Sequence, residues 1–460
     1  MLLSSLFVAA CRRTALTLAL ALPLVTAAQN PTPPPRTPER RVLLRGATVH
    51  VGDGRTVIEN GAVSFRGEWL DYVGPAASFP ADQLAAMEVI DVTGQHIYPG
   101  LILANSTVGL TEIDAVRATV DERETGTFNP NVRAVVAYNT DSEILPTVRT
   151  NGVLTVQVTP RGGTISGQSS VVQLDAWNWE DAVVRTDDGL HLNWPAHLPR
   201  TGVVPDSIIT KRVKIRETAL RDLDQLFADA KAYRATPPAP ANLRLASLDA
   251  VLVGRQTLYL HADGAKEIVE AVRWAKRTGI ARVAVVGAED AAKVLDFLKE
   301  NGVSLVLGRI HALPRRGDDD VDAPFRLPKL LFDAGIPFCF SYEGDMENPG
   351  ARNLSFTAGT AVAYGLPPEQ ALYAMTGGAA RILGLPQQGM LVAEAAGAPQ
   401  PTKPGEAAPN RQAATLVVSR GDLLDMRTNA VTLAFIQGRP LDLGNKQQRL
   451  AEKFGARYRK

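Results

Sequence analysis

Hydrophobic and polar positions along the chain fall into two textures. From Val42 onward, short β-branched runs (VLLRGATVHVG, AVSFRGEWLDYVG, MEVIDVTGQHIYPG) are separated by Gly, Asp and Asn, the pattern of strands in a small antiparallel unit. The same texture returns in ATLVVSRGD and AVTLAFIQGRPLDLG. Neither stretch is long enough to form a domain alone. They are expected to pair into one small β-sandwich built from both chain ends, over residues 42–98 and 413–445. Between them the rhythm changes. GVLTVQV, TLYLHAD, ARVAVVG, VSLVLG and IPFCFSY are compact apolar strands, several of them separated by helical stretches (AKEIVEAVRWAKRTG, DAAKVLDFLKENG, APFRLPKLLFDAG) that each end in Gly, a frequent helix stop. Strand alternating with helix predicts a parallel α/β fold, and the number of units suits a (β/α)8 TIM-like barrel over residues 99–392.

The remaining segments read as connections and an address. Arg12 and Arg13 precede the apolar run Thr14 to Val25, followed by small Thr26, Ala27 and Ala28. A charged region, a short apolar core and a small-residue cleavage site together read as a secretory signal over residues 1–28, which implies a secreted or periplasmic protein. The run is too short for a comfortable membrane span. Val8-Ala9-Ala10-Cys11 looks like a lipoprotein box, but no basic segment precedes it, so simple secretion is preferred. Residues 29–41 are Pro-rich and read as an extended tether. Residues 393–412, rich in Ala, Pro and Gly, read as a surface loop, and 446–460 as a C-terminal tail.

Composition narrows the classes. Of 460 residues, 49 are Lys or Arg and 48 Asp or Glu, and aromatics make up only 6%. There is no basic field and no stacking platform for nucleic acid. Two cysteines, Cys11 and Cys339, make neither a disulfide scaffold nor a Cys-rich zinc site. No GxGxxG follows a strand and no GxxxxGK[ST] is present, so nucleotide binding lacks motif support.

A resemblance is carried by two phrases in fixed order. Tyr98-Pro99-Gly100-Leu101-Ile102 follows the first β-rich unit. Late in the chain come Asn353-Leu354, Ala363-Tyr364-Gly365-Leu366 and Thr376-Gly377-Gly378-Ala379-Ala380-Arg381-Ile382-Leu383-Gly384-Leu385. This layout resembles the amidohydrolase superfamily, in its imidazolonepropionase-like branch, over residues 42–445. The resemblance implies a (β/α)8 barrel with a small β-sandwich made from both ends. It also implies hydrolysis of a C–N bond by metal-activated water.

The resemblance further implies a His-x-His at the end of the first barrel strand, since alternate strand residues face one metal. Here Asn105 and Thr107 occupy those two positions. His261, ending LYLHAD, matches the fifth-strand histidine and is the candidate metal ligand, or simply a strand-end histidine held by a hydrogen bond. Gly287 stands where the sixth-strand histidine belongs. Tyr342 or, one residue on, Glu343 stands where the eighth strand carries a catalytic Asp. The fourth-strand Lys or Glu has no clear counterpart. Zinc is the cofactor implied if there is one, but the usual binuclear ligand set is not present. A relocated site drawn from His261, Asp263, Glu343 and Asp345 remains open, with Glu343 and Asp345 as candidate catalytic carboxylates or else solvated turn acids. The other histidines, His50, His96, His191, His197 and His311, show no ligand spacing.

Arg161 lies in the Gly-rich loop TPRGGTISGQ after GVLTVQV. Backbone N–H groups there can cradle a carboxylate or phosphate with Arg161 as a clamp, or the glycines can serve only a turn that needs positive φ. Asn105, Thr107, Arg161, Gly287 and Tyr342 are thus the expected pocket positions. The functions these features allow are a secreted amidohydrolase acting on an amide or peptide-like C–N bond, a non-catalytic barrel in a homo- or hetero-oligomer with an intact homologue, or a periplasmic binder of a small molecule or peptide.

Overall fold

The computed structural model describes residues 40–197, 205–236, 238–344, 346–393 and 411–458. Residues 1–39, which hold the expected signal and most of the expected tether, most of residues 393–412, and Asp345 lie outside these residues. Among the described residues no helix is long and apolar enough to cross a membrane.

Strands β1 (Arg41–His50), β2 (Val57–Arg66), β3 (Trp69–Pro75), β4 (Glu88–Asp91) and β5 (His96–Pro99) fill the first texture. The middle holds β6 (Leu101–Ser106), β7 (Val153–Val158), β8 (Ile165–Gln173), β9 (Val183–Asn193), β10 (Thr257–Ala262), β11 (Val283–Gly287), β12 (Ser304–Leu307) and β13 (Phe338–Phe340). The last stretch holds β14 (Leu416–Ser419), β15 (Val431–Ile436) and β16 (Arg439–Pro440).

The two chain ends share one sheet. Its order is β16-β15-β14-β5-β1-β2-β3, with β4 also paired to β1. The join is antiparallel, Leu416 to Ser419 lying against Pro99 to His96. Trp69 at the start of β3 bridges Ala413 just before β14, so a single sheet curls round its own core instead of forming two separate layers. Val42, Leu44, Val49, Phe65, Leu416 and Phe435 fill that core, with the Phe65 and Phe435 rings edge to face at 5.1 Å.

The second sheet runs β6 through β13 in chain order and meets itself where Ala104 pairs with Ser341. Strands β9 to β13 are parallel, as are β6 and β7. The departure from (β/α)8 is β8, which pairs antiparallel with both β7 and β9. The loop Thr159–Thr164 is therefore a hairpin connection, not the entry to a helix. Gly162 and Gly163 take φ of 83° and 66°, and a Cβ at Gly163 would lie 2.8 Å from the Thr127 carbonyl. The later units do follow strand with helix: α1 (Asp206–Ala235) precedes β10, α2 (Ala265–Thr278) follows it, α3 (Leu295–Glu300) precedes β12 and α4 (Ala323–Ala334) precedes β13. Helices α2 and α4 stop at Gly279 and Gly335, both left-handed.

Inside the barrel, Ile102, Ala104, Val171, Tyr259, Val286, Val306 and Cys339 pack together, the layered filling expected of a small barrel. Helix α5 (Gly377–Leu383), formed by the TGGAARILGL phrase, adds Ala379, Ala380, Ile382 and Leu383 to that core. The segment expected as a C-terminal tail contains a helix, α6 (Lys446–Gly455). It starts with a capping box of Asn445 and Gln448, and Thr147 Oγ1 donates to Gln447 Oε1 at 2.7 Å.

Candidate functional site at the barrel mouth

Strand β6 ends in a left-handed Asn105, φ 52°, a conformation Asn tolerates. The turn aims its side chain across the seam of the barrel. Asn105 Nδ2 donates to Glu343 Oε2 at 2.8 Å, and its own N–H donates to Gln157 Oε1 at 2.9 Å. The hairpin after β7 brings Arg161 to the same point. Its guanidinium donates to Asn105 Oδ1 at 2.8 Å and to the Asn105 carbonyl at 3.1 Å. It also grips both oxygens of Glu347, at 3.0 and 3.2 Å. Thr107 completes the knot: its N–H donates to Glu347 Oε1 at 2.7 Å and its hydroxyl to Asn348 Oδ1 at 3.0 Å. Arg161 is thus the carboxylate clamp expected from its loop, and the carboxylate it clamps belongs to its own chain.

The charges here act on one another. Burial works against the Arg161 charge, yet Glu347 and Glu343 together hold its pKa above the ordinary value. Burial raises the Glu347 carboxyl, with Arg161 opposing and Glu343 adding to the rise.

His261 closes β10. Its Nε2 lies 2.8 Å from Nδ1 of His191 on the neighbouring β9. His191 is fully buried, stacks on Tyr259 at 4.7 Å, and among the described residues its Nε2 has no hydrogen-bond partner. Burial lowers His261 to about 4, with Arg161 lowering it further and Glu343 opposing. Burial, His261 and Arg161 together put His191 well below the ordinary histidine range. Beneath them lies a buried acid. Asp188 accepts from Ser169 Oγ at 2.8 Å, Gln157 Nε2 at 2.7 Å and Tyr259 OH at 3.1 Å, and burial raises its pKa. A Cβ at Gly189 would fall 2.1 Å from the Tyr259 ring, so the glycine makes room for that ring.

Beside this knot a cavity of about 520 Å³ opens between the ends of β10 to β12 and the loops after β12 and β13. Its charged lining includes Asp263, Glu289, Asp290, Arg309, Arg315, Asp319 and Glu343, with His261 beside them, and Val286, Leu307 and Leu327 supply apolar wall. Arg315 faces three carboxylates at long range: Asp263 and Glu289 at 3.9 Å and Glu267 at 4.0 Å. Burial, Glu289 and Glu343 push Asp263 up to about 7, with Arg315 opposing. Gly287 takes φ 88° and also lines the cavity. Tyr342 is buried under the Arg309 guanidinium, 5.6 Å above its ring.

The structure therefore brings together Asn105, Thr107, Arg161, His261, Gly287, Tyr342 and Glu343; Asp345 lies outside the described residues. Sequence reading missed His191, Glu347, Asp188, Glu289, Arg309 and Arg315. A signal for His191 existed: parallel pairing sets it beside Tyr259, two residues before His261. Strand β9, fourth in barrel order, ends in Asn193, whose amide donates to Gly163 O and Ser166 Oγ, so no Lys or Glu stands there. Among the described residues no three His, Cys, Asp or Glu side chains are grouped to hold a metal ion.

No protein-family model and no curated protein matches the sequence. Solved structures do. An amidohydrolase from Thermotoga maritima MSB8 superposes with a TM-score of 0.72 at 22% identity, over 87% of this chain and 99% of that one. A molinate hydrolase gives 0.52 at 13% identity over 88% and 95% of the two chains. A prolidase complexed with N-methylphosphonate-L-proline gives 0.50 at 18% over 87% and 99%. At these identities the likeness is one of architecture: an eight-stranded barrel with a second, β-rich unit, in the fold of the amidohydrolases.

Proposed function

We propose that the chain is an exported protein of the amidohydrolase superfamily, in its imidazolonepropionase-like branch, that binds a small amide- or peptide-like molecule in the barrel-mouth cavity. The observation that carries this reading is the division of the mouth. The first-strand positions are consumed by the knot of Asn105, Thr107, Arg161, Glu343 and Glu347, while a cavity of about 520 Å³ with mixed charge lies beside it. That size and mixture suit a small polar ligand.

The residues present do not fit the zinc centre that the superfamily implies. Zinc hydrolysis needs three protein ligands and an open position. Here the Asn105 amide is spent on Glu343 and Arg161, Thr107 on Asn348, and His261 Nε2 faces His191. A second reading, hydrolysis of a C–N bond, is favoured by one observation. Asp263, held at about 7 in the cavity wall, has the proton affinity of a general acid or base.

The deciding experiment is elemental analysis of purified mature protein beside the His261→Ala variant, with thermal-shift screening of cyclic amides and dipeptides and a hydrolysis assay on each hit. Binding without turnover and without stoichiometric metal is the expected result. Turnover with one or two equivalents of zinc, lost in the variant, overturns it.

A further inference from the structure

We infer that the Arg161 guanidinium has taken over the role of a bound metal ion as the cation that ties together the strand ends at the barrel mouth. This rests on reading Asn105, Thr107 and His261 as the ligand positions of an amidohydrolase-type barrel.

The geometry is that of a central cation with ligands from different strands. Arg161 binds Asn105 through the side-chain and backbone oxygens and Glu347 through both carboxylate oxygens. Those partners come from opposite sides of the barrel seam: Asn105 ends the first strand, and Glu347 follows the eighth. Among the described residues the seam itself carries a single backbone bridge, Ala104 to Ser341. Asn105 to Glu343 and Thr107 to Glu347 cross it as side-chain links, and Arg161 touches both halves. The guanidinium also acts electrostatically on His261 and His191, at the remaining ligand position and its neighbour. Its side chain is 15% exposed and that of Glu347 11%, so water screens the pair only weakly.

A guanidinium is suited to this role. It is charged at any working pH and presents five donors in a rigid fork, so it can satisfy a carboxylate and a carbonyl at once. The hairpin explains how it arrives. A standard crossover helix after β7 would carry the chain away from the mouth. The antiparallel return of β8 and the left-handed Gly162 and Gly163 keep Arg161 over it.

The test compares wild type, Arg161→Met and the double variant Arg161→Met/Glu347→Gln by thermal melting, each after chelation and with zinc in excess. Wild type is expected to melt at the same temperature with chelator and with zinc. Arg161→Met is expected to melt about 5 °C or more lower, because Glu347 keeps only the Thr107 N–H and is left buried without its cation. The double variant, which removes that charge, is expected to regain part of the loss. If Arg161→Met does not fold, partial recovery in the double variant and the wild-type response to zinc still decide the matter. A wild-type protein stabilised by zinc, or an Arg161→Met variant that melts like wild type, overturns the inference. Failure of the cavity to bind any amide or dipeptide would count against the binding function alone and leave these melting results standing.

Discussion

A methyl group on Gly287 would lie 2.1 Å from Asp263 Oδ1. The sixth-strand position thus lacks a side chain because the carboxylate of the fifth strand's loop fills the space in front of it. The glycine also sits at φ 88°, where any Cβ is strained. Gly287→Ala should cost about 1 kcal/mol or more from the backbone alone, with the clash added. In the double variant Gly287→Ala/Asp263→Ala the clash term disappears, so the double variant should cost less than the sum of the two single variants. Urea unfolding of the four proteins checks this, and strict additivity would place Asp263 elsewhere.

Asp263 itself should titrate near pH 7. A carboxyl raised above its unfolded value near 4 contributes stability that is full below that value and is lost as pH rises through 7. Glu289 and Glu343 are among the causes of the rise. Glu289→Gln should therefore lower the Asp263 midpoint, read by carbon NMR of the labelled carboxyl. A midpoint unmoved by the variant would remove Glu289 from the cavity's electrostatics.

The His191–His261 pair predicts the opposite slope. Both rings are held below the unfolded histidine value of about 6.5. Their contribution is complete above that pH and is lost as pH falls toward 4, because unfolding lets them take up protons. The ring of His261 should titrate near 4 by proton NMR, and His261→Gln should flatten the loss of melting temperature between pH 6.5 and 4. A ring titrating at 6.5 would mean that water reaches it freely.

Asp188 accepts from three neutral donors, and Arg185 acts on it only at longer range. Asp188→Ala leaves Ser169, Gln157 and Tyr259 without their acceptor and should cost about 2–4 kcal/mol, whereas Asp188→Asn keeps one oxygen and should cost about 1 kcal/mol. Equal losses in the two variants would show that shape, not hydrogen bonding, sets the cost.

What the sequence made legible follows from what each element buries. Strands β10 to β13 are mostly apolar on both faces and β7 is apolar on one, so they stand out as runs, and the PGLI junction and the TGGAARILGL helix fall where their phrases suggest. Strand β8 was not visible because all nine of its residues are buried although five of them are Ser or Gln: Ser166, Gln168, Ser169, Ser170 and Gln173. A buried strand that feeds a polar network shows no hydrophobic period. With β8 unseen, the hairpin could not be read, and neither could the direction in which Arg161 points. Glu347 was missed for a related reason: its partners Arg161 and Thr107 lie about 200 residues away in sequence, and only closure of the barrel brings them together. The capping box that starts α6 pairs Asn445 with Gln448 three residues on, a spacing that can be read locally in the sequence.

Cys339 lies fully buried on β13 inside the barrel, where burial pushes its thiol up to about 12. An external thiol reagent can reach it only after the staves part, since neither the thiolate nor access exists while they are joined. The chain therefore carries its own clock. The rate at which this sulfur is labelled in native buffer times the opening of the barrel, and comparing that rate between wild type and Arg161→Met would time how long a guanidinium keeps it shut.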